Sequence, residues 1–386
     1  MNKFEFMTSD RILFEKNGLK NIGKLAKPFG KKALVVTGGR AENAASIEEY
    51  LKNEGIESAR FQVYTEPSLD TMKVGLDLAR SEKCDMVIAC GGGSAIDAGK
   101  IIAAMMTNEG EILSYVEVIG EGKSLKSPSA PCIAVPTTAG TGAEVTKNAV
   151  ISSDLHKVKV SLRSPYMYPN LVLLDPILTM SMPQSVTAST GLDALTQVIE
   201  PFVSHLSNPM TDAFCKEGMR LAARSLRKAF DRGEDIDARE EMLLVSLFGG
   251  IALANAKLGV VHGFAGVIGG MYGIPHGIVC AGLLPYSFET NVKALEEREK
   301  DNRALERYKE ISEILTGDRN ASIEDGMNWV MDLCNHLSIP KFKDLGMKKE
   351  DFPEIIEKSM GASSMKGNPI VLTKDELEEM LTSAFQ

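Results

Sequence analysis

The sequence predicts an α/β domain followed by an all-helical one. Short β-rich apolar runs alternate with helical stretches in the first half, the pattern of parallel strands joined by crossover helices. After about Pro183 the β-branched runs stop and segments with helical spacing take over. Two of the apolar runs in the first half lead straight into turns rich in glycine or hydroxyl residues. The change of composition puts the boundary near residue 180, giving domains 1–180 and 181–386.

The elements follow in order. Lys32–Thr37 (KALVVT) reads as a buried strand ending at Gly38-Gly39, and Ala44–Asn53 as its helix. Ala59–Tyr64 is a second strand and Leu69–Arg80 a second helix. Met86–Cys90 (MVIAC) is a third strand that enters Gly91-Gly92-Gly93-Ser94, with the helix Ile96–Met106 behind it. Cys132–Val135 is a strand stopped by Pro136, and Val158–Leu162 and Leu171–Leu174 complete the half. The spacing then predicts helices over Val186–Val203, Asn208–Phe230, Arg239–Ala256, Arg303–Leu315, Ile323–Leu337 and Lys374–Phe385. Leu258–Pro285, rich in glycine and interrupted by Pro275, reads as closely packed broken helices.

Composition narrows the function. The chain has 386 residues, 44% of them hydrophobic, enough for a sizeable core. Lys plus Arg number 43 against 52 Asp plus Glu, and no basic run occurs, so nucleic acid is not an expected partner. The longest apolar runs fall far short of the roughly 20 residues that cross a bilayer, and Met1–Asp10 lacks a basic-then-apolar signal pattern. A soluble cytoplasmic protein with no membrane partner is expected. The six cysteines form no CxxC pair and sit mostly among apolar neighbours, which predicts buried thiols.

A strand, a glycine run and a helix place backbone N–H groups and a helix N-terminus against an anion. Gly91-Gly92-Gly93-Ser94-Ala95-Ile96-Asp97 is therefore a candidate pyrophosphate cradle, although it is not GxGxxG and follows the third strand read. Asp97 either binds a nicotinamide or ribose group or complements the helix dipole. A second loop, Pro136–Glu144, offers Thr137, Thr138 and Thr141 with two glycines after another apolar strand. Two such loops at strand ends of one parallel sheet share an edge, which predicts a dinucleotide site.

Asp193 and Gln197 lie four apart in a predicted helix, on one face, as an i and i+4 ligand pair would. His262 and His276 are fourteen apart. On one straight helix that is about 21 Å, whereas two nitrogens on one metal stand at most roughly 4 Å apart. The intervening glycines and Pro275 supply a break that can fold the chain back.

GGGSAIDAGK at Gly91–Lys100, PTTAGTGAEVT at Pro136–Thr146, TGLDAL at Thr190–Leu195, and VHGFAG and PHG around His262 and His276 together resemble the iron-containing (group III) alcohol dehydrogenase family, from about Arg11 to the C-terminus. The resemblance implies the dehydroquinate-synthase-like fold. A dinucleotide-binding α/β domain would precede a helical metal and substrate domain, with the active site in the cleft between them. It also implies NAD(P)-dependent interconversion of an alcohol and an aldehyde or ketone, in a homodimer or larger homo-oligomer.

Carried over by position, Gly91, Gly92, Gly93, Ser94 and Asp97 would hold the pyrophosphate and nicotinamide. Thr137, Thr138, Thr141 and Thr146 would line the cofactor, and Lys159 would contact its ribose. Asp193, His262 and His276 match three of the family's four metal ligands, and Gln197 stands where the fourth is normally histidine. A further family histidine linked to proton transfer is replaced by Gly266. A neutral Gln carbonyl is a weaker ligand for Fe²⁺ or Zn²⁺ than imidazole. Cys280, one helical turn past His276, reads as a buried structural thiol, with a substitute soft ligand as the alternative.

The expected chemistry is hydride transfer between nicotinamide and a short, mostly neutral alcohol or aldehyde, metal-assisted through Asp193, Gln197, His262 and His276. One alternative is a metal-free reductase of the maleylacetate-reductase-like branch, with His262 or His276 as proton donor. Another is a decayed nucleotide-binding protein. Gly38, Gly39 and Arg40 end the first strand read, where no acid stands to repel a 2′-phosphate and Arg40 can pair with one. NADP(H) is thus favoured over NAD(H).

Overall fold

The computed structural model describes residues 3–39, 41–153 and 158–386. Arg40, assigned above to a 2′-phosphate, lies outside them. The chain divides into two compact units, one of Thr8–Thr138 and Gly142–Met180, the other of Met1–Met7, Ala139–Thr141 and Ser181–Gln386.

The first unit carries strands β1 (Ile12–Phe14), β2 (Lys32–Thr37), β3 (Glu57–Gln62), β4 (Met86–Gly91), β5 (Cys132–Pro136), β6 (Asn148–Ser153), β7 (Val158–Arg163) and β8 (Leu171–Leu174). Six of them form a parallel sheet in the order β1-β8-β5-β4-β2-β3. Helices α1 (Ile22–Ala26), α2 (Ala41–Asn53), α3 (Leu69–Ser81) and α4 (Gly93–Thr107) belong to the same unit. Alternate residues of β2 serve two cores. Leu34 and Val36 pack with Met72, Leu76, Ile101 and Ile102 of α3 and α4, while Ala33 and Val35 pack with Ile47 and Leu51 of α2. Burial on both faces is why such strands read as unbroken apolar runs.

Val158–Leu162 is a strand, but it does not join the parallel sheet. It forms β7, paired antiparallel with β6 in a separate two-stranded sheet, Val150 opposite Ser161. Its alternation explains the difference. Ala149, Ile151, Val160 and Leu162 face the α3–α4 core while the residues between them are less buried, the pattern of a sheet with one buried face. With the parallel sheet on one side and this hairpin on the other, α4 is buried from Ala95 through Met105.

The second unit is helical among the described residues: α5 (Gln184–Val203), α6 (Pro209–Asp231), α7 (Ile236–Ala256), α8 (Val260–Tyr272), α9 (His276–Arg298), α10 (Ala304–Thr316), α11 (Ile323–His336), α12 (Phe352–Met360) and α13 (Lys374–Phe385). Asn208 caps α6, its side chain accepting from the backbone N–H groups of Met210 and Thr211. α7 is apolar around its circumference and buried along most of its length. The break inside 258–285 is real: α8 stops at Gly273, at φ +69°, and α9 starts after Pro275. A left-handed glycine ends the first helix, and proline supplies an extended residue before the next. Helix α12 has no counterpart in the sequence reading.

No single described helix is long and apolar enough to cross a membrane. All six cysteines are free and buried.

Candidate functional site

Three loops meet at the C-terminal edge of the parallel sheet. Register aligns Thr37 with Cys90 and Gly91 with Pro136, so the turns after β2, β4 and β5 emerge together. Gly38 N–H donates to the Cys90 carbonyl at 3.4 Å and Thr137 N–H to the Gly91 carbonyl at 2.9 Å. A Cβ on Gly91 would stand 2.6 Å from Ala95 Cβ and 3.1 Å from the Gly38 nitrogen, so only glycine fits. Gly92 is the residue before α4, with Thr138 close against it, and Gly93 and Ser94 form the helix's first turn. Nothing lies within 4 Å of where a Cβ would stand on Gly38 or Gly39. An open glycine face at a helix N-terminus suits a phosphate.

Other residues assigned to the cofactor are engaged within the protein. Asp97 is buried, and its carboxylate accepts from Val150 N–H at 3.0 Å and from Lys100 Nζ at 3.5 Å. Lys100 is buried as well and donates to the Ala143 carbonyl and Thr146 Oγ1, each at 2.8 Å, and to the Asn148 carbonyl. Thr146 is therefore part of the lysine's cage. Lys159 pairs with Glu66 at 2.7 Å. Thr141 belongs to the helical unit. Burial lowers the Lys100 ammonium and raises the Asp97 carboxyl, and each partly offsets the other. Glu144 is buried beside them, one carboxylate oxygen unpartnered among the described residues, and burial pushes it up to about 7. The sequence reading gives Lys100 no role, yet a lysine directly before the apolar run IIAAMM is a signal for a paired buried charge.

The helical unit holds the second constellation. Asp193 and Gln197 stand one turn apart on α5, His262 on the first turn of α8, and His276 and Cys280 on the first turns of α9. The α8–α9 break brings the two imidazoles to 5.3 Å between ring centroids. His262 Nε2 is 3.2 Å and His276 Nε2 3.8 Å from Asp193 Oδ1, and Cys280 Sγ is 3.8 Å from His262 Nε2. One donor atom from each of Asp193, His262, His276 and Cys280 lies within 4.8 Å of the others. Asp193 and His262 are buried, whereas the His276 side chain is 37% exposed and opens the cluster to solvent.

Behind His262 stands Glu200, absent from the sequence reading. Its carboxylate is 2.6 Å from His262 Nδ1 and accepts from Val261 N–H at 2.7 Å. A lone acid in the apolar stretch of α5, seven residues after Asp193, was the available signal. Gln197 donates to the Gly140 carbonyl at 3.1 Å and lends Asp193 a hydrogen bond, while its own Oε1 is buried with no partner among the described residues. Gly249 makes room for it, since a Cβ there would stand 2.9 Å from Gln197 Cβ.

Burial would raise the Asp193 carboxyl, but the His262 hydrogen bond, the His276 charge and the Gln197 amide hold it below the usual carboxylate range. Burial likewise opposes charge on His262, and the Cys280 sulfur with the Glu200 and Asp193 carboxylates outweighs it, raising the imidazole well above its ordinary value. The Cys280 thiol is pushed up to about 12 by burial. With His262 Nδ1–H donating to Glu200, its Nε2 lone pair faces the Asp193 carboxylate. Two acceptors face to face in a buried site need a proton or a cation between them. The donors (carboxylate, two imidazoles and a sulfur) fit a divalent transition metal.

An α/β unit with a glycine-lined strand edge and a helical unit with a histidine–carboxylate cluster mark a class of oxidoreductase, and comparison with known proteins identifies it. The family model for iron-containing alcohol dehydrogenase matches residues 9–176, and that for the C-terminal part of the Fe-containing alcohol dehydrogenase family matches residues 187–385. The chain belongs to the iron-containing alcohol dehydrogenase family and has its fold. It is 35% identical over 391 residues to the 1,3-propanediol dehydrogenase of Klebsiella pneumoniae, covering 99% of each chain. The NAD-dependent methanol dehydrogenase of Bacillus methanolicus is 32% identical over 377 residues, 96% of this chain and 97% of that one. Among solved structures, a 1,3-propanediol oxidoreductase superposes with a TM-score of 0.92 at 33% identity over 100% of both chains.

Proposed function

We propose that this protein interconverts a short, mostly neutral alcohol and its aldehyde or ketone with a nicotinamide cofactor, assisted by a divalent metal. The single observation that carries this reading is the convergence of Asp193, His262 and His276 from three helices on one point, with Gln197 beside them. A bound Fe²⁺ or Zn²⁺ supplies Lewis-acid polarisation of the substrate oxygen, and the nicotinamide supplies or takes the hydride.

The chain's own residues do the rest. Glu200 fixes the His262 tautomer so that Nε2 faces inward, and the Gln197 amide orients the Asp193 carboxylate. The amides after β4, with Gly38 and Gly39 beside them, receive the pyrophosphate, and Thr137 and Thr138 border it. Lys100 holds the segment Ala143–Asn148 against α4, keeping the β5 loop in register with the phosphate turn. Asp97, Thr146 and Lys159 serve this support, and Thr141 is a further cofactor-lining hydroxyl. NADP(H) is favoured over NAD(H) by the lack of an acid after β2 and by Arg40. The active protein is cytoplasmic and a homodimer or larger homo-oligomer.

The test is elemental analysis of protein purified without chelator, paired with NADPH- and NADH-dependent reduction of short aldehydes before and after EDTA. Near-stoichiometric metal with activity lost on chelation is expected. Activity that survives metal removal would put the chemistry on His262 and His276 alone, as in a metal-free reductase. Cofactor binding without turnover under any metal supply would mark a decayed binding protein.

A further inference from the structure

We infer that Cys280 is a direct ligand of the metal, so that the cation sits in an Asp–His–His–Cys set rather than one completed by a fourth neutral or imidazole donor. The inference rests on the metal-assisted reading above. Around a tetrahedral Zn²⁺ with bonds of about 2.0–2.3 Å, neighbouring donor atoms stand roughly 3.3–3.6 Å apart. The separations here are 3.2 Å for His262 to Asp193 and 3.8 Å for both His276 to Asp193 and Cys280 to His262, with every pair inside 4.8 Å. Shifts of a few tenths of an ångström bring these three separations to tetrahedral values.

The placement has a structural cause. His276 and Cys280 are i and i+4 on α9, so their side chains leave the same helical face, the arrangement α5 uses for Asp193 and Gln197. Both helix pairs therefore aim two residues at the cluster. Gln197 has its N–H groups committed to the Gly140 carbonyl and the Asp193 carboxylate, so its role toward the carboxylate is that of a donor. Reversing the amide would set its oxygen against the Gly140 carbonyl oxygen. A neutral amide oxygen is also a weaker donor to a transition metal than a thiolate.

No other cysteine belongs to the cluster among the described residues; Cys334, for example, donates its thiol to the Ala281 carbonyl. On binding, the cation takes the place of the thiol proton, which is released to solvent, and a metal–sulfur bond forms without any change in oxidation state. One sulfur with two nitrogens and one oxygen moves selection toward Zn²⁺ and away from hard, oxygen-seeking cations.

The test uses full-length protein stripped of metal and reloaded with Co²⁺ or Zn²⁺ alone. Wild-type protein with one equivalent of Co²⁺ is expected to show a thiolate-to-cobalt charge-transfer band in the near ultraviolet. Cys280→Ala and Cys280→Ser are expected to lose that band and bind Zn²⁺ ~10-fold or more weakly, while Cys334→Ser keeps both properties. X-ray absorption at the zinc edge of wild-type protein is expected to show a single sulfur at about 2.3 Å. This measurement needs no variant, so it decides the matter even if position 280 tolerates no change. One equivalent of metal with a nitrogen and oxygen shell only, and no charge-transfer band, would overturn the cysteine assignment and leave the metal-assisted reading standing. Failure of either metal to bind at all would overturn both.

Discussion

Glu200 Oε2 stands 2.6 Å from His262 Nδ1, and both side chains are buried. The carboxylate thereby sets which imidazole nitrogen faces Asp193, while its other oxygen accepts from Val261 N–H. Glu200→Gln keeps the shape and removes the charge. It is expected to weaken Zn²⁺ retention about 10- to 100-fold with little change in secondary structure. Metal content after dialysis against a graded chelator series, alongside far-ultraviolet circular dichroism, checks this; unchanged retention would refute the role given to Glu200.

Gly91→Ala would drive a methyl group to 2.6 Å from Ala95 Cβ at the point where β4 turns into α4. Relief requires the helix start or the Gly38 strand end to move, which distorts the amides proposed to receive the phosphate. A loss of about 1–3 kcal/mol in stability is expected, with NAD(P)H binding lost or weakened at least ~10-fold. Thermal unfolding and fluorescence titration with reduced cofactor measure the two effects separately.

Lys100→Met removes the buried ammonium while leaving the Ala143 and Asn148 carbonyls and the Asp97 carboxylate in place. The orphaned acceptors predict a destabilisation of about 3–5 kcal/mol, larger than the lost packing would cause. Lys100→Arg does not rescue it, because a planar guanidinium cannot reproduce three short contacts made from one nitrogen. Melting temperatures of the two variants test the pair of statements.

Glu144 predicts a pH dependence of stability. Its folded-state pKa is raised from 4.5 to about 7 by burial. The fold therefore favours the protonated acid, a contribution fully present below about pH 4.5 and lost as pH rises through about 7. Glu144→Gln keeps a neutral polar group at every pH. Relative to the wild type, it is expected to gain in melting temperature between pH 5 and 8, with the gain levelling off above the folded pKa. A wild-type advantage that grows across the same window would contradict the buried neutral acid.

Replacement of Arg40 by Asp supplies the acid that the β2 end lacks and removes the cation expected to pair with a 2′-phosphate. The ratio of kcat/KM for NADPH over NADH is expected to fall by at least ~10-fold, the equivalent of about 1.4 kcal/mol. An unchanged ratio would remove the argument for NADP(H).

Much of this protein is written locally. β2, β4, β5 and β8 are legible because a strand buried on both faces must be apolar without interruption, and α5, α6, α7, α10, α11 and α13 because long helices repeat their buried face every 3.6 residues. The glycine run after β4 announces its turn by its residue types alone. Three-residue β1, the six-residue β6 and the nine-residue α12 are too short for their periodicity to stand out, and β7 looked like another sheet strand because five residues do not say which neighbour will accept their hydrogen bonds.

What the sequence by itself determined is the family and its fold class, together with the glycine turn after β4 and the residues Asp193, His262 and His276 as candidates, since residue type and family motif are properties of the chain read in order. Only the tertiary structure decided that Glu200 orients His262, that Lys100 and Thr146 hold a loop together, and that the Cys280 sulfur stands 3.8 Å from His262. Those are distances between side chains separated by up to tens of residues. The first and third depend on how α5, α8 and α9 pack, and the second on how the segment after β5 lies against α4, which no local pattern encodes.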